Sequence, residues 1–369
     1  MMNNPYANEL KALQRSGRYR QRHVVDEALI DMASNDYLGL AHHRELHDKA
    51  CKTLSHYDYH APKSSMLVNG YHPIHQNFET ALYKVNGFDA GIVMGSGFNA
   101  NIGLMEALVR KGDVLLMDEE YHASGVIGAK MCEGRVEFFT HNDASALERA
   151  IAKATEKRII VAVEGIYSMG GDLLSRDILE VCERYDVLVI LDEAHSSGVI
   201  GGHLMGILDF YEIAPANNMI KMGTLGKAYG SFGAYVLSSA HISDYLINRA
   251  KNVIYATAPS LYDTALAHHA LNYIQENVCE LKEKIKQRQS IIKEVLGIEI
   301  EGLILPIEIG DNRTVMEIQS SLKEELGISV GAIRQPTVKR SIIRLIARTD
   351  ISEETLKRVC ERFSHNWIK

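Results

Sequence analysis

The chain has 369 residues, 46% of them hydrophobic and 24% charged, a globular composition with room for two domains. Its formal net charge of −7 gives no electrostatic attraction for nucleic acid or an anionic membrane surface. Five cysteines (Cys51, Cys132, Cys182, Cys279, Cys360) are scattered, odd in number and without C-x-x-C spacing, which argues against a zinc site or disulfide framework and for free thiols in a reducing compartment. Met1-Met2-Asn3-Asn4-Pro5 has no apolar signal core, and no run approaches 18 apolar residues, so a cytoplasmic location is expected.

In chain order, residues 8–22 place Leu10 and Leu13 ahead of a basic cluster, Arg15, Arg18, Arg20 and Arg22, which reads as a short amphipathic helix running into a charged segment. Ser34 to Leu40 reads as a turn. His72 and His75 have a spacing that suits a metal on a helix, but Pro73 between them and the lack of a third ligand favour a structural role. Gly91 to Asn101 reads as a short strand, a glycine turn and a helix start. Alone such a G-S-G reads equally as a tight turn; together with the motifs below, the Gly97 and Phe98 amides are the expected seat for a phosphate.

Val114–Asp118, Arg158–Glu164 and Val187–Leu191 are apolar runs of the kind buried on both faces of a parallel sheet. Strands alternating with helices from about 91 to 240 predict a mostly parallel sheet. Asp192-Glu-Ala-His195 stands where one strand ends, on the carboxyl edge at which open α/β sheets bind ligands. The same tetrapeptide occurs in nucleotide-hydrolysing helicases, but the phosphate loop they need, G-x-x-x-x-G-K-[ST], is absent from this sequence.

Gly223 to Val236 holds a single lysine, Lys227, among glycines and between the runs Met219–Met222 and Ala234–Leu237. Alone it reads as a surface lysine in a turn. With Asp192 about 35 residues upstream it suits pyridoxal phosphate, the lysine holding the aldehyde as a Schiff base and the acid facing the pyridine nitrogen. Opposite charges ~4 Å apart in a partly buried site attract by ~4 kcal/mol, enough to keep that nitrogen protonated. A polar helix is predicted over roughly 261–295, then strands at 303–309 and 342–346. Arg344, amid apolar residues, needs an anionic partner, either a structural acid or a substrate carboxylate.

Gly223 to Val236, Asp192-Glu-Ala-His195, Glu164-Gly-Ile-Tyr-Ser-Met169 and Asn35-Asp-Tyr-Leu-Gly-Leu40 together resemble the α-oxoamine synthase family of fold-type I pyridoxal-phosphate enzymes, over about residues 15–349. The resemblance implies an α/β fold in which a large domain with a mostly parallel seven-stranded sheet is joined to a smaller α+β C-terminal domain. Its division would be an N-terminal arm packing with the small domain (1–44), a large cofactor domain (45–255) and a long helix with the small domain (256–369). It further implies that His122 stacks on the cofactor ring and orients the acyl group. Ser168 and His195 would bond the cofactor's phenolic oxygen, and Thr224 and Thr257 would be further cofactor contacts. Thr257 would reach the phosphate of a partner subunit, which makes a homodimer with shared sites. Arg20 (or Arg18 or Arg22), Asn35, Thr337 and Arg344 would touch substrate.

The implied activity is decarboxylative condensation of an amino acid with an acyl thioester. The wording of Asn69-Gly-Tyr71, His141-Asn-Asp143 and Gly331 to Val338 resembles members that take L-alanine and pimeloyl-CoA or pimeloyl-acyl carrier protein. The likeness departs at His60–Gly70, which lacks the family's glycine-rich run and has Met66 where a basic residue is usual, and at Tyr229-Gly-Ser-Phe232. Members acting on glycine with a shorter acyl donor are the alternative. A non-catalytic protein that kept the fold is another, against which the intact Lys227, Asp192, His195 and His122 speak.

Overall fold

The computed structural model describes residues 4–366; Met1–Asn3, the start of the N-terminal segment read above, lie outside the described residues. After helix α1 (Ala7–Arg15) come strand β1 (Ile30–Met32), α2 (Arg44–Leu54) and α3 (Pro73–Asn86). Alternation then sets in: β2 (Ala90–Met94), α4 (Gly97–Leu108), β3 (Asp113–Asp118), α5 (Ala123–Ala129), β4 (Arg135–Phe139), α6 (Ala144–Lys153), β5 (Arg158–Glu164), α7 (Arg176–Arg184) and β6 (Leu188–Asp192). β7 (Met219–Thr224) and β8 (Ala234–Ser238) flank the lysine loop. The C-terminal part adds β9 (Ile304–Gly310), β10 (Ile328–Ile333) and β11 (Ser341–Ile346).

The large sheet has seven strands in the order β2-β8-β7-β6-β5-β3-β4. All neighbours pair in parallel except β8, which is antiparallel to both β2 and β7. Its strands read as apolar runs because both faces are covered. Val161, Val163, Val189 and Leu191 belong to one core cluster, and Ile160, Ala162, Ile190 and Ile220 to the other. Such alternation is the period-2 geometry of a strand applied to a two-sided core. Each of these residues contributes roughly 1.5–3 kcal/mol where the side chain is large. A second sheet, β1-β10-β11-β9, forms the smaller layer.

Three local readings need correction. Met219–Met222 is not wholly apolar, since Lys221 lies within it, buried and bonded through Nζ to Asn86 Oδ1 at 2.7 Å and to the carbonyl of Met205. The helix predicted over 261–295 is two helices, Leu261–Glu276 and Val278–Leu296. Asn277 separates them at φ −116°, ψ 20°, with its side-chain amide donating to the Tyr273 carbonyl at 2.8 Å in competition with the helix ladder. The first of the pair is also substantially buried rather than polar.

His72 and His75 are structural. His72 Nδ1 accepts the amide of Ile74, His75 Nδ1 accepts that of His72, and His75 Nε2 meets the Pro259 carbonyl at 2.9 Å, together forming the cap of α3. Among the described residues no cluster of His, Cys, Asp and Glu has the arrangement of a metal site. No helix among them is long and apolar enough to cross a membrane.

Candidate active site

Four adjacent strands deliver side chains to one edge. β3 ends at Asp118 and leads to His122, and β5 ends at Glu164 and leads to Ser168. β6 ends at Asp192 and leads to His195, while β7 ends at Thr224 and leads to Lys227. Register holds these ends level, with Glu164 opposite Asp192 and Asp192 opposite Met222. Lys227 Nζ lies 2.7 Å from His195 Nε2. Burial pulls the Lys227 amine down to about 8 against the opposing pull of Asp192 and Glu164, and Arg344 lowers it further. His195 is held well below the ordinary histidine range by burial and by the positive charges of Lys227, Arg344 and His122. His122 is lowered too, mainly by burial, with Asp192 opposing.

Asp192 is 4% exposed and its two oxygens are tied down. Oδ1 accepts the Ala194 amide at 3.0 Å and Oδ2 accepts Asn101 Nδ2 at 2.8 Å. Asn101 is fixed in turn by Tyr121, whose hydroxyl donates to Asn101 Oδ1 at 2.8 Å, and by Ser124 Oγ at 2.9 Å. No motif flags Asn101; its one signal is its place a turn past Gly97, on the buried face of α4.

Ser96 caps α4, its Oγ accepting the Asn99 amide and its carbonyl that of Ala100. The amides of Gly97 and Phe98 are left without a partner among the described residues. A Cβ on Gly97 would come 3.5 Å from Thr224 Cβ, so the helix start and the end of β7 face each other. Thr224 Oγ1 itself donates to the Gly233 carbonyl at 3.1 Å.

Arg344 on β11 is 5% exposed. Its Nε donates to the Ser168 carbonyl at 2.8 Å and Nη1 to Asn35 Oδ1 at 2.9 Å, while Nη2 is buried with no partner. Among the described residues no carboxylate pairs with it, so the structural-acid alternative is not met. Asn35 is therefore beside the site, carried in by the arm. The lysine loop rests on the same arm: at Gly230 (φ +58°) a Cβ would fall 2.4 Å from the Ala41 nitrogen.

Arg20, Thr257 and Thr337 are all exposed, as are Arg18 and Arg22, and none reaches this cluster within the chain. Thr337 sits in a turn where its amide meets the Arg334 carbonyl. A cavity of about 1380 Å³ opens next to the cluster rather than over it. Its wall includes Asp31, Asn35, Gly226, Ser329 and Arg348 but not Lys227 or His195.

These groups fit pyridoxal phosphate. A helix start with two free amides suits its phosphate, a fixed carboxylate suits its ring nitrogen, and a buried amine of lowered basicity suits its aldehyde. The unpaired Arg344 Nη2 leaves a place for the carboxylate of an amino acid.

Comparison with known proteins agrees. The sequence profile of the class I and II aminotransferases matches residues 27–363. The chain is 40% identical to an 8-amino-7-oxononanoate synthase of Helicobacter pylori, over 92% of this chain and 91% of that one. It is 34% identical to the synthase of Citrifermentans bemidjiense, over 92% of each chain. Among solved structures, the 8-amino-7-oxononanoate synthase of Francisella tularensis superposes with a TM-score of 0.77 at 25% identity, over 92% of this chain and 98% of that one. A Sphingomonas wittichii serine palmitoyltransferase superposes at 0.89 over 98% and 96%, and at 20% identity it attests the fold alone. The fold is thus fold-type I, and the chain belongs to the class I and II aminotransferase family and, within it, to the family of the 8-amino-7-oxononanoate synthases.

Proposed function

We propose that the chain condenses L-alanine with a pimeloyl thioester, releasing carbon dioxide and the free thiol and giving 8-amino-7-oxononanoate for biotin synthesis. It is a pyridoxal-phosphate-dependent acyltransferase. Bound in the site, pyridoxal phosphate supplies an aldehyde for the Lys227 amine and a protonated ring that takes up the electron pair left on the α-carbon.

The chain's own residues do the rest. The Gly97 and Phe98 amides, with Thr224 opposite, would hold the phosphate. Asp192, pinned by Asn101 and Ala194, would keep a proton on the ring nitrogen. Ser168 and His195 would bond the phenolic oxygen, and His122 would stack on the ring and orient the acyl group. Arg344 and Asn35 would take the alanine carboxylate. Lys227, with an amine near 8, is neutral in a useful fraction at physiological pH and removes the α-proton. Condensation at the thioester carbonyl would release the thiol, loss of the carboxylate as carbon dioxide would follow, and the proton held at Lys227 Nζ would return to the α-carbon.

The observation that supports this best is the half-buried Lys227–His195 contact set between fixed Asp192 and an arginine with a free donor. Thiol release is measured with pimeloyl, acetyl and succinyl thioesters, as coenzyme A and acyl-carrier-protein forms, each with alanine, glycine, serine or 2-aminobutyrate. One methyl is worth only about 1–3 kcal/mol to a pocket, so kcat/KM ratios decide. Glycine with an acetyl or succinyl donor outrunning alanine with pimeloyl overturns the substrate assignment and leaves the family intact.

Thr257, exposed beside Tyr255 at 79% exposure, supports a homodimer in which it reaches the neighbouring phosphate. An active monomer in sedimentation at assay concentration ends that part. The five free cysteines support a cytoplasmic location.

A further inference from the structure

Ser168 is held on both sides. Its amide donates to Glu164 Oε2 at 3.0 Å, and its carbonyl accepts Arg344 Nε at 2.8 Å. Glu164 closes β5, opposite Asp192 in register, and is 1% exposed. Among the described residues its carboxyl makes that one hydrogen bond, and Oε1 is buried with no partner. Burying a carboxyl is costly and a bare oxygen adds to the cost; an apolar side chain of that size would avoid both. The Tyr167–Ser168 peptide is fixed at its carbonyl by the Gly171 amide at 2.8 Å and at its N–H by Glu164. Without the Glu164 end that peptide keeps one tether, about which its plane can tilt and carry the Ser168 carbonyl with it.

The contacts run on into the arm. Arg344 gives Nη1 to Asn35 Oδ1 at 2.9 Å and keeps Nη2 buried and unpaired. Where Nη2 points depends on where Nε is anchored, because the guanidinium is a rigid planar fork. We propose that Glu164 is a positioning residue for the amino-acid substrate: it fixes the Ser168 peptide, and the Ser168 carbonyl in turn aims the Arg344 fork. This rests on Arg344 taking the carboxylate of that substrate.

Two substitutions separate reach from charge. Glu164→Asp keeps the acid and shortens the stem by one methylene, roughly 1.5 Å, which takes the 3.0 Å contact out of hydrogen-bond range. Glu164→Gln keeps the reach and an oxygen acceptor and loses the acid. In the full-length chain freed of cofactor, hydrogen exchange at the Ser168 amide, resolved by overlapping peptides, is expected to quicken roughly tenfold in Glu164→Asp and to stay within about threefold of the wild type in Glu164→Gln. In the loaded enzyme the KM for L-alanine is expected to rise roughly tenfold in Glu164→Asp, with the KM for the pimeloyl thioester unchanged, and to move by less than about threefold in Glu164→Gln.

Equal loss of alanine affinity in both variants, or loss in Glu164→Gln alone, overturns the proposal, because the acid rather than its reach is then what the site uses. A lowered Tm with both KM values unmoved overturns it too, leaving Glu164 a part of the scaffold only. If Glu164→Asp does not fold, Glu164→Gln decides: a raised alanine KM or a quickened Ser168 amide there is the refuting result. The functional reading fails separately. An alanine KM unmoved by Arg344→Lys refutes the place given to Arg344 and leaves the exchange result at Ser168 standing.

Discussion

Replacing Arg344 by lysine keeps the positive charge and removes the fork. The guanidinium spends Nε on the Ser168 carbonyl and Nη1 on Asn35, and has Nη2 spare. A lysine ammonium, a single point charge without the planar fork, cannot hold both fixed partners and still meet a carboxylate bidentately. Each hydrogen bond to a charged group is worth about 1.5–3 kcal/mol, so losing one to the substrate raises KM for L-alanine roughly 10- to 100-fold. If the carboxylate is gripped equally before and during the reaction, kcat changes far less. The Ser168 carbonyl, left short of a donor, costs a further ~1–3 kcal/mol of stability.

Steady-state kinetics with each substrate varied in turn, beside thermal unfolding, test all three statements. A raised KM for the acyl thioester with that for alanine unchanged would refute the reasoning. It would mean that Arg344 faces the acyl chain.

Borohydride reduction followed by peptide mapping should find the pyridoxyl group on Lys227 and not on Lys221, which is buried and already bonded to Asn86 and the Met205 carbonyl. Capture of cofactor by the stripped protein should rise with pH through about 8 and then level off; a midpoint near the ordinary lysine value contradicts the burial argument. Asp192→Asn removes the charge proposed to face the ring nitrogen, worth ~4 kcal/mol at ~4 Å, so kcat should fall about a thousandfold with folding retained, and a loss under tenfold is incompatible with the role given to Asp192. His141 sits 2.9 Å from both Asp118 and Asp172. Burial opposes its charge but these two acids outweigh it, raising it from 6.5 to about 10. A raised folded value means its contribution is fully present below about pH 6.5 and lost as pH rises through about 10. His141→Gln should therefore lower the free energy of unfolding most near pH 6 and least near pH 10, by ~1–3 kcal/mol at the low end, and a gap constant across that range would show that its charge is not what matters.

The parts legible in sequence share a cause: a signal confined to a few neighbouring residues. β5 and β6 announce themselves as apolar runs because both faces are covered, and the residues just past them fall on the ligand edge. Lys227 is marked by its glycines. Asn101 and Tyr121 carry no such mark, and Tyr37, though within the Asn35–Leu40 motif, shows nothing there of its partner, since each meets a residue far along the chain: Asp192 for the first, Asn101 for the second, His195 for the third. β1 is three residues with Asp31 in the middle and is a strand only because β10 pairs with it. Lys221 reads as an interruption in an apolar run until Asn86 and the Met205 carbonyl are seen around its ammonium. The helix break at Asn277 has no glycine or proline to announce it, and the side-chain bond to the Tyr273 carbonyl is seen only in the structure.

The pairing of β1 with β10 also sets a schedule. Ile30 leaves the ribosome early, yet its partner Ile328 follows roughly 300 residues later, about 15–60 s at 5–20 residues per second. Throughout that interval the large sheet can assemble and present Lys227, His195 and Asp192, while Asn35 and Tyr37, just past β1, have no strand to moor them. Loop-closure entropy disfavours so long a connection until the C-terminal sheet exists. The last step of the nascent chain is thus the one that brings its first tenth back to the lysine. A chain cut short before Ile328 would lose two side chains beside its active site that it had already synthesised.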